Sequence, residues 1–192
     1  MLSGPSGTGK GAICAGLTAE TNAVLSISMT TRMPREHEVE GQSYYFVDKE
    51  RFMKVLEEDG LFEHAEVYGE YYGTPKAPVI ASLKEGRDVI LEIEVNGATQ
   101  IKNCMPDAIL VFVLPPSYNE LKRRIEKRGT ESPEHIERRL ERVSMEIAQI
   151  GKYDYLVIND DLANAIGDML AIMQAERLRI GAFAEEIVDN YK

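Results

Sequence analysis

The stretch SGPSGTGKGA, from Ser3 to Ala12, lies almost at the start of the chain and decides which fold we expect. It matches the pattern G-x-x-x-x-G-K, whose glycines let consecutive backbone N–H groups turn inward around a phosphate chain. A helix that begins near Lys10 would add its positive end, and the Lys10 ammonium would reach the outer phosphates. The sequence therefore predicts a phosphate-binding loop (P-loop). Its residues are Gly4, Pro5, Ser6, Gly7, Thr8, Gly9, Lys10 and Gly11.

The segment before the loop is short for this motif. Only Met1, Leu2 and Ser3 precede it, whereas P-loop folds place an apolar strand there, usually in the middle of the sheet. Two interpretations stay open at this point. Either the sequence begins late, or the loop is poorly anchored and the activity is low.

The segment after the loop lacks a hydroxyl group. The residue that follows the lysine is usually Ser or Thr, whose oxygen binds Mg²⁺, but here Gly11 and then Ala12 follow it. We therefore expect Mg²⁺ to be held through water molecules and nucleotide phosphates, with weakened catalysis, and not directly by a side chain.

The overall charge is negative, but the basic residues are concentrated in one segment. The 192 residues fit one domain with inserted subdomains, and 22 basic against 32 acidic residues give a net charge of −10. Such a chain is a poor candidate for binding nucleic acid, because a phosphate backbone needs a positive field. Eight of the basic residues lie between Lys122 and Arg142, which indicates either a solvated helix face or a local site for an anion.

Cysteine content and hydropathy indicate where the protein resides. Cys14 and Cys104 are the only cysteines, and their separation fits no metal-binding pattern, so a reducing cytoplasm is the simplest expectation. No segment resembles a signal peptide. The longest uncharged apolar run, AILVFVLPP, is too short to span a bilayer, and we expect no membrane partner.

Hydrophobic patterns along the chain predict an α/β fold. Four apolar runs separated by helical stretches favour a parallel sheet covered by helices on both faces. These runs are AVLSISMT (23–30), RDVILEIEV (87–95), AILVFVL (108–114) and YDYLVIND (153–160). One apolar helix face is formed by Ile136, Leu140, Val143, Ile147 and Ile150. The aromatic runs SYYFVD, LFEHAEVYG and EYYGTP predict a small inserted β subdomain.

A longer motif extends from Ser26 to Phe46. This segment, SISMTTRMPREHEVEGQSYYF, matches the pattern S-x-S-x-T-T-R-x-P-R-x-x-E-x-x-G-x-x-Y-x-F throughout. Together with the P-loop and the later stretches EYYGTP, LEIEVNGA, RRIEKRGTE, RRL and VINDD, it resembles guanylate kinase over nearly the whole chain. The tail AERLRIGAF resembles the bacterial members of this family.

The resemblance implies a reaction and a fold. The reaction is the transfer of the γ-phosphate of ATP to GMP, and to dGMP as a further acceptor, giving ADP and GDP in purine nucleotide metabolism with Mg²⁺ as cofactor. The fold is the α/β fold of P-loop nucleoside monophosphate kinases, with a parallel sheet covered by helices. Its expected parts are a P-loop core (1–28, 75–120 and 149–192), a GMP-binding subdomain built on the small β insert (29–74) and a helical lid (121–148).

By resemblance, GMP contacts residues of the inserted subdomain. The residues expected to bind its 5′-phosphate are Arg32, Arg35, Tyr44 and Tyr72. Arginine suits this role because its planar fork donates two parallel hydrogen bonds. Glu63 would accept from both N1–H and the N2 amine of guanine, two donors that adenine does not present there. The other residues expected to bind GMP are Ser28 and Thr74, near O6, and Glu94.

By resemblance, ATP is bound by the P-loop and by Asn159, which contacts the adenine. In-line phosphoryl transfer requires its growing negative charge to be neutralised. The residues expected to act in catalysis are Lys10, Arg124, Arg128 and Arg139. Glu92 would hold water molecules of the Mg²⁺ ion.

Two other functions stay open. A related kinase that acts on a phosphorylated ribose would need the phosphate-binding arginines but not Ser28, Glu63 and Thr74. A catalytically weak guanylate kinase-like module that binds phosphopeptides would typically lack Lys10 and the lid arginines, which this chain retains. Both a monomer and a homodimer are compatible with the sequence.

Overall fold

The computed structural model describes residues 1–127, 133–181 and 184–192, with the side chains of 133–138, 185 and 186 left out. The strands are β1 (Leu2–Ser3), β2 (Val24–Leu25), β3 (Met29–Thr30), β4 (Tyr45–Phe46), β5 (Leu61–Val67), β6 (Glu70–Pro75), β7 (Val89–Ile90), β8 (Val111–Leu114) and β9 (Tyr155–Ile158). The helices are α1 (Lys10–Glu20), α2 (Lys49–Glu57), α3 (Lys76–Lys84), α4 (Val95–Cys104), α5 (Tyr118–Lys127), α6 (Pro133–Ile147), a 3₁₀ helix (Ile150–Lys152), α7 (Leu162–Arg177) and α8 (Ala184–Asn190). Within the described ranges, no helix has the length and apolar character needed to cross a membrane.

A parallel sheet forms the centre of the fold. β1 pairs in parallel with β8, β8 with β9, and β2 with β7. A bridge between Leu2 and Glu92 joins these two groups of strands. The Leu2 N–H donates to Leu91 O at 2.8 Å, and Leu2 O accepts from the Ile93 N–H at 3.1 Å. The resulting order, β2-β7-β1-β8-β9, confirms the predicted α/β fold with a parallel sheet.

Helices cover this sheet on both faces, as the sequence predicted. One face packs against α1 and α7 through a buried cluster that includes Ile13, Leu17 and Met169. The other face packs against α4 through Ala98 and Ile101. Neighbouring residues within the strand segments belong alternately to the two clusters, as expected for strands buried on both sides.

β1 is only two residues long, but it lies in the middle of the sheet. Leu2 is 1% exposed and Ser3 is fully buried. The Met1 ammonium donates to Ile109 O at 2.7 Å, and the Val111 N–H donates to Met1 O at 2.9 Å. Hydrogen bonds on both sides therefore anchor the start of the P-loop, which argues against a poorly anchored loop.

AVLSISMT is one of the four apolar runs predicted to form the parallel sheet, and this prediction is wrong for the second half of the run, which belongs to another sheet. β2 leaves the central sheet after Ser26, whose N–H donates to Ile90 O at 2.8 Å. Met29 then pairs with Gly73 of β6 and packs against Phe52 of α2. The apolar residues of this single run therefore serve two hydrophobic cores.

A second sheet contains the aromatic strands that the sequence predicted. Its order is β4-β3-β6-β5, with β3 parallel to β4 and antiparallel to β6, and β5 antiparallel to β6. β5 and β6 are joined by a turn at Tyr68 and Gly69, whose φ angles are +54° and +84°. β5 packs against α4, and this contact joins the second sheet to the central one.

α5 and α6 pack against each other after β8. Leu140, Val143 and Ile147 of α6 face α5, which confirms the helical period predicted for these three residues. Ile150 lies in the following 3₁₀ helix. The side chain of Ile136 lies outside the described residues.

We predict that Leu2→Ala lowers the free energy of unfolding by about 2–5 kcal/mol, because it removes buried methyl groups from the central strand and leaves a cavity. Urea denaturation followed by circular dichroism measures this change. Leu178→Ala is the control, since Leu178 is 72% exposed and its truncation should change the same quantity by less than about 0.5 kcal/mol. A loss below about 1 kcal/mol for Leu2→Ala would contradict the anchoring role of β1.

Candidate active site

A cleft of about 640 Å³ lies at the carboxyl ends of β1 and β7, where parallel sheets usually bind ligands. The P-loop, the chain around β3 and β4, and helix α6 line it. Lining residues include Gly4, Ser6, Lys10, Ser28, Tyr44, Glu92, Glu94, Arg139, Arg142 and Glu146. The structure thus brings together residues that the sequence assigned to three separate parts. Of the other residues predicted to bind GMP, Arg32 and Tyr72 contact Tyr44 of this lining.

The P-loop packs tightly against the ends of β8 and β9, and this contact requires glycine at two positions. Gly4 has a φ of +133°, and a Cβ atom there would lie 2.5 Å from Val113 O. Gly9 has a φ of +89°, and a Cβ atom there would lie 2.2 Å from Nδ2 of Asn159. Both positions therefore exclude a larger side chain.

Asn159, directly after β9, binds the backbone of the P-loop. It is 6% exposed, and its Nδ2 donates to Thr8 O at 2.8 Å. The buried Thr8 hydroxyl in turn donates to Pro5 O at 3.0 Å. The amide nitrogen of Asn159 thus serves the loop backbone, a role that the sequence did not indicate. Its predicted contact with adenine stays a prediction.

Lys10 is the first residue of α1, as predicted, and binds the loop itself. Its Nζ donates to Gly4 O at 2.6 Å and to Pro5 O at 2.9 Å. Burial lowers the pKa of Lys10, while nearby carboxylates, Glu92 foremost, raise it. A partly desolvated ammonium is stabilised by an anion, so this position favours a phosphate oxygen as a ligand.

Arg32 and the aromatic side chains around it form one edge of the cleft. The guanidinium carbon of Arg32 lies 5.6 Å from the ring centroid of Tyr44 and 5.9 Å from that of Phe46. The ring of Tyr44 meets that of Tyr72 edge-on, with 6.1 Å between centroids. Contact with the two rings restricts the Arg32 side chain, so this arrangement presents a positive donor group at a fixed place.

Glu38 connects the two arginines predicted to bind phosphate. Its Oε1 accepts from Nη2 of Arg32 at 2.7 Å, and its Oε2 accepts from the backbone N–H of Arg35 at 2.8 Å. The hydrogen bond lowers the pKa of Glu38 and raises that of Arg32. Glu38 was part of the matched motif, but its pairing was not foreseen. A carboxylate six positions after an arginine within one loop is a signal that could have indicated it.

The carboxylate of Glu63 is held by a hydroxyl group in a partly buried position. Thr74 is 1% exposed, and its Oγ1 donates to Oε1 of Glu63 at 2.7 Å. Burial raises the pKa of Glu63, whereas the hydrogen bond from Thr74 lowers it. The geometry therefore supports an oriented carboxylate, with one oxygen occupied by Thr74.

Gly97 contacts the other oxygen of this carboxylate and was not predicted from the sequence. A Cβ atom at Gly97 would lie 2.9 Å from Oε2 of Glu63. Gly97 belongs to the first turn of α4, which begins after Glu94. A glycine on a helix has several ordinary explanations, so only the folded structure shows that the space is needed by Glu63.

Glu92 is positioned to take part in binding a metal ion. A Cβ atom at Gly11 would lie 3.4 Å from Oε2 of Glu92, which places this carboxylate beside the start of α1. Among the residues that the structure describes, no group of three or more His, Cys, Asp or Glu side chains is arranged to hold a metal. A single carboxylate next to phosphate oxygens and water fits Mg²⁺, which keeps several water ligands.

The three predicted lid arginines differ in position. Arg139 of α6 lies in the cleft, and its Nη2 donates to Oγ of Ser6 at 2.5 Å. Arg124 of α5 donates through Nε to Oε1 of Glu120 at 2.7 Å. Arg128 lies outside the described residues. Helix α6 therefore reaches the P-loop through Arg139.

Arg142 and Glu146 also line the cleft but are absent from the residues predicted from the sequence. Nη2 of Arg142 donates to Oε2 of Glu94 at 2.5 Å, and its Nε donates to Oε1 of Glu146 at 3.2 Å. Burial raises the pKa of Glu146, while the charge of Arg142 lowers it. The spacing of four residues between Arg142 and Glu146 is a visible sequence signal, but it is common on solvated helices.

Known proteins resemble this chain over nearly its whole length. The family model described as guanylate kinase matches residues 1–176. The guanylate kinase of Thermus thermophilus is 50% identical over 187 residues, which cover 97% of this chain and 85% of the relative. That of Clostridium tetani is 46% identical over 188 residues, covering 98% and 90%. The crystal structure of guanylate kinase from Anaplasma phagocytophilum has a TM-score of 0.79 at 30% identity, covering 99% and 93%.

We predict that the pKa of the Glu63 carboxyl lies above its ordinary value, because burial disfavours the charged form. Thr74→Val should raise this pKa further, since the substitution removes the hydroxyl that donates to the carboxylate. Thr74→Ser keeps a hydroxyl and is the matched control. A ¹³C NMR titration of labelled glutamate measures these values. An ordinary pKa in the unaltered protein, or no change with Thr74→Val, would refute the geometry.

Proposed function

The chain belongs to the guanylate kinase family of enzymes, and we propose that it transfers the γ-phosphate of ATP to GMP, giving ADP and GDP. The shared cleft supports this most, because the P-loop, Tyr44 with its neighbour Arg32, and Arg139 of α6 surround one space. Cationic groups on opposite sides of one cleft suit two anionic nucleotides that meet end to end. dGMP would serve as a further acceptor, and the reaction would belong to purine nucleotide metabolism.

ATP would bind on the P-loop side of the cleft. The backbone N–H groups of the loop and the positive end of α1 would bind its phosphates, with Lys10 at the outer ones. Lys10 already lies against the loop, so little side-chain entropy remains to be lost on binding. Asn159 would keep the loop in shape through Thr8 and would lie near the adenine.

The phosphate of GMP would bind on the side of the second sheet. Arg32 and Arg35 would donate to its oxygens, with the hydroxyl groups of Tyr44 and Tyr72 beside them. The contacts of Arg32 with Glu38 and the Tyr44 ring hold its guanidinium before the ligand arrives. Such preorganisation favours binding because fewer rotamers must be fixed.

Glu63 would select guanine. An ionised carboxylate accepts from the N1–H and N2 amine, and Ser28 and Thr74 would lie near O6. With adenine in the same place, the partly buried Glu63 would lose these donors. An unpaired buried group costs about 1–3 kcal/mol or more, which corresponds to about tenfold or greater discrimination.

Mg²⁺ would be held between the nucleotide phosphates and water, with Glu92 binding its water molecules, while Glu94 would contact GMP. When bound, it supplies positive charge that offsets the negative charge of the reacting phosphates. Glu92 lies beside Gly11, the position where other P-loops provide a hydroxyl, and this placement supports the proposal. In this arrangement, no side chain of α1 needs to bind the Mg²⁺ ion directly.

During transfer, an oxygen of the GMP phosphate would form a bond to Pγ while the bond between Pγ and the ADP oxygen breaks. Lys10, Arg124, Arg128 and Arg139 would stabilise the charge that moves between these oxygens. Helices α5 and α6 would close over the phosphates as a lid and exclude water, which would otherwise hydrolyse ATP. The contact between Arg139 and Ser6 supports this closure.

We also propose that the protein acts in the cytoplasm. Cys14 and Cys104 are unpaired, and Cys104 is exposed. An exposed free thiol is typical of a reducing compartment.

A coupled assay of ADP release with GMP, dGMP, AMP, CMP and UMP tests the proposed reaction. We predict turnover with GMP and dGMP, and a KM for GMP that rises about tenfold or more in Glu63→Gln, because an amide presents only one acceptor. Glu66→Gln, an exposed residue of the same strand, is the control and should leave KM unchanged. Faster turnover of AMP than of GMP would overturn the assignment of Glu63. GMP binding without turnover would favour a binding module.

A further inference from the structure

We propose that Arg142 is a positioning residue for the acceptor nucleotide, which acts by holding Glu94 and thereby links helix α6 to the first turn of α4. The inference rests on the proposed function, since it concerns the same cleft. Arg142 does not need to touch either nucleotide for this role. Its effect would pass through the carboxylate that it binds.

The position of Arg142 between two helices is the first observation. Its Nη2 donates to Oε2 of Glu94 at 2.5 Å, across 48 residues of sequence, and its Nε donates to Oε1 of Glu146 on its own helix at 3.2 Å. The second bond restricts the side chain, so that its outer nitrogen points to Glu94. The fork geometry of arginine allows both bonds at once.

The position of Glu94 explains why this contact concerns the acceptor. Glu94 is the N-cap residue directly before α4, and its carbonyl accepts from the Ala98 N–H at 3.0 Å. The same first turn contains Gly97, which contacts the carboxylate of Glu63. The charge of Glu94 also acts to raise the pKa values of both Glu63 and Lys10. A shift of Glu94 would therefore affect both the proposed guanine contact at Glu63 and Lys10 of the P-loop.

Charge balance in the cleft is the second observation. Glu92, Glu94 and Glu146 line the cleft together with Lys10 and act to raise the pKa of Lys10, and their negative charges oppose the entry of an anionic nucleotide. Arg142 binds two of these three carboxylates directly. Arg142 does not bind Glu92, the third of these carboxylates. Glu92 is the one proposed to hold water molecules of Mg²⁺.

The exposure of both side chains indicates that this ion pair contributes little to the stability of the fold. The side chains of Arg142 and Glu94 are 47% and 57% exposed. Exposed pairs contribute little to stability, so loss of this pair should leave the midpoint of thermal unfolding nearly unchanged. A clear kinetic effect without a stability effect would therefore identify a positioning role.

A double-mutant cycle with Arg142→Ala and Glu94→Gln tests the proposal. We expect Arg142→Ala to raise the KM for GMP about fivefold, the upper range for an exposed ion pair, and to change the KM for ATP less than about twofold. In the Glu94→Gln background the same substitution should have almost no further effect. Arg142→Lys keeps a charge that can reach Glu94 and should restore part of the loss.

Arg179→Ala is the control, because the 70% exposed side chain of Arg179 forms an ion pair with Glu176 away from the cleft. It should change neither KM. Equal rises in both KM values, a fall in the KM for GMP, or an undiminished effect of Arg142→Ala in the Glu94→Gln background would refute the positioning role.

Calorimetric titration with GMP separates this proposal from the proposed function. If the unaltered protein binds GMP without turnover, the same variants are compared by their Kd for GMP, and the same fivefold change is expected. If it binds GMP and Arg142→Ala binds equally well, only the role of Arg142 is refuted. A protein that binds no GMP refutes both proposals.

Discussion

The hydrogen bonds of β1 to its two neighbouring strands are the constraint on which the site depends. Leu2 exchanges backbone bonds with Leu91 and Ile93 on one side and pairs with Val111 on the other. This pairing fixes where the P-loop leaves the sheet, and it places Glu92 at the same edge. Because the ladder consists of backbone atoms, even a two-residue strand is sufficient to position the loop. The phosphate-binding geometry is therefore a consequence of sheet topology.

An acidic chain can hold anionic ligands where cations gather locally, and three of the cations at the cleft are held by fixed partners. Arg32 bonds to Glu38, Arg142 to Glu94, and Lys10 to carbonyl groups of the P-loop. These contacts orient the cations but leave donor groups for a ligand, since a guanidinium has five N–H donors and an ammonium has three. The net charge of −10 thus describes the whole surface and gives no indication of the local field in the cleft.

Local patterns in the sequence were enough to predict the P-loop, the parallel sheet and the helical face of α6, because the pattern that indicates each of them is formed by residues close together in the chain. The division of AVLSISMT was missed because apolar periodicity indicates burial but not which core receives each residue. The contacts of Gly97 with Glu63 and of Arg142 with Glu94 were missed for a related reason. They join segments that only the fold brings together, the second across 48 residues.

We propose that two nucleotides meet end to end in one cleft, and a bisubstrate ligand tests this arrangement most directly. Adenosine and guanosine joined through five phosphates would span the P-loop and the Arg32 side together. Calorimetry should give one ligand per chain, displaced by ATP and by GMP alike. Its affinity should exceed that of either nucleotide by about 100-fold or more, since the second contact becomes intramolecular. Displacement by only one nucleotide, or an affinity no better than that of ATP alone, would contradict the account.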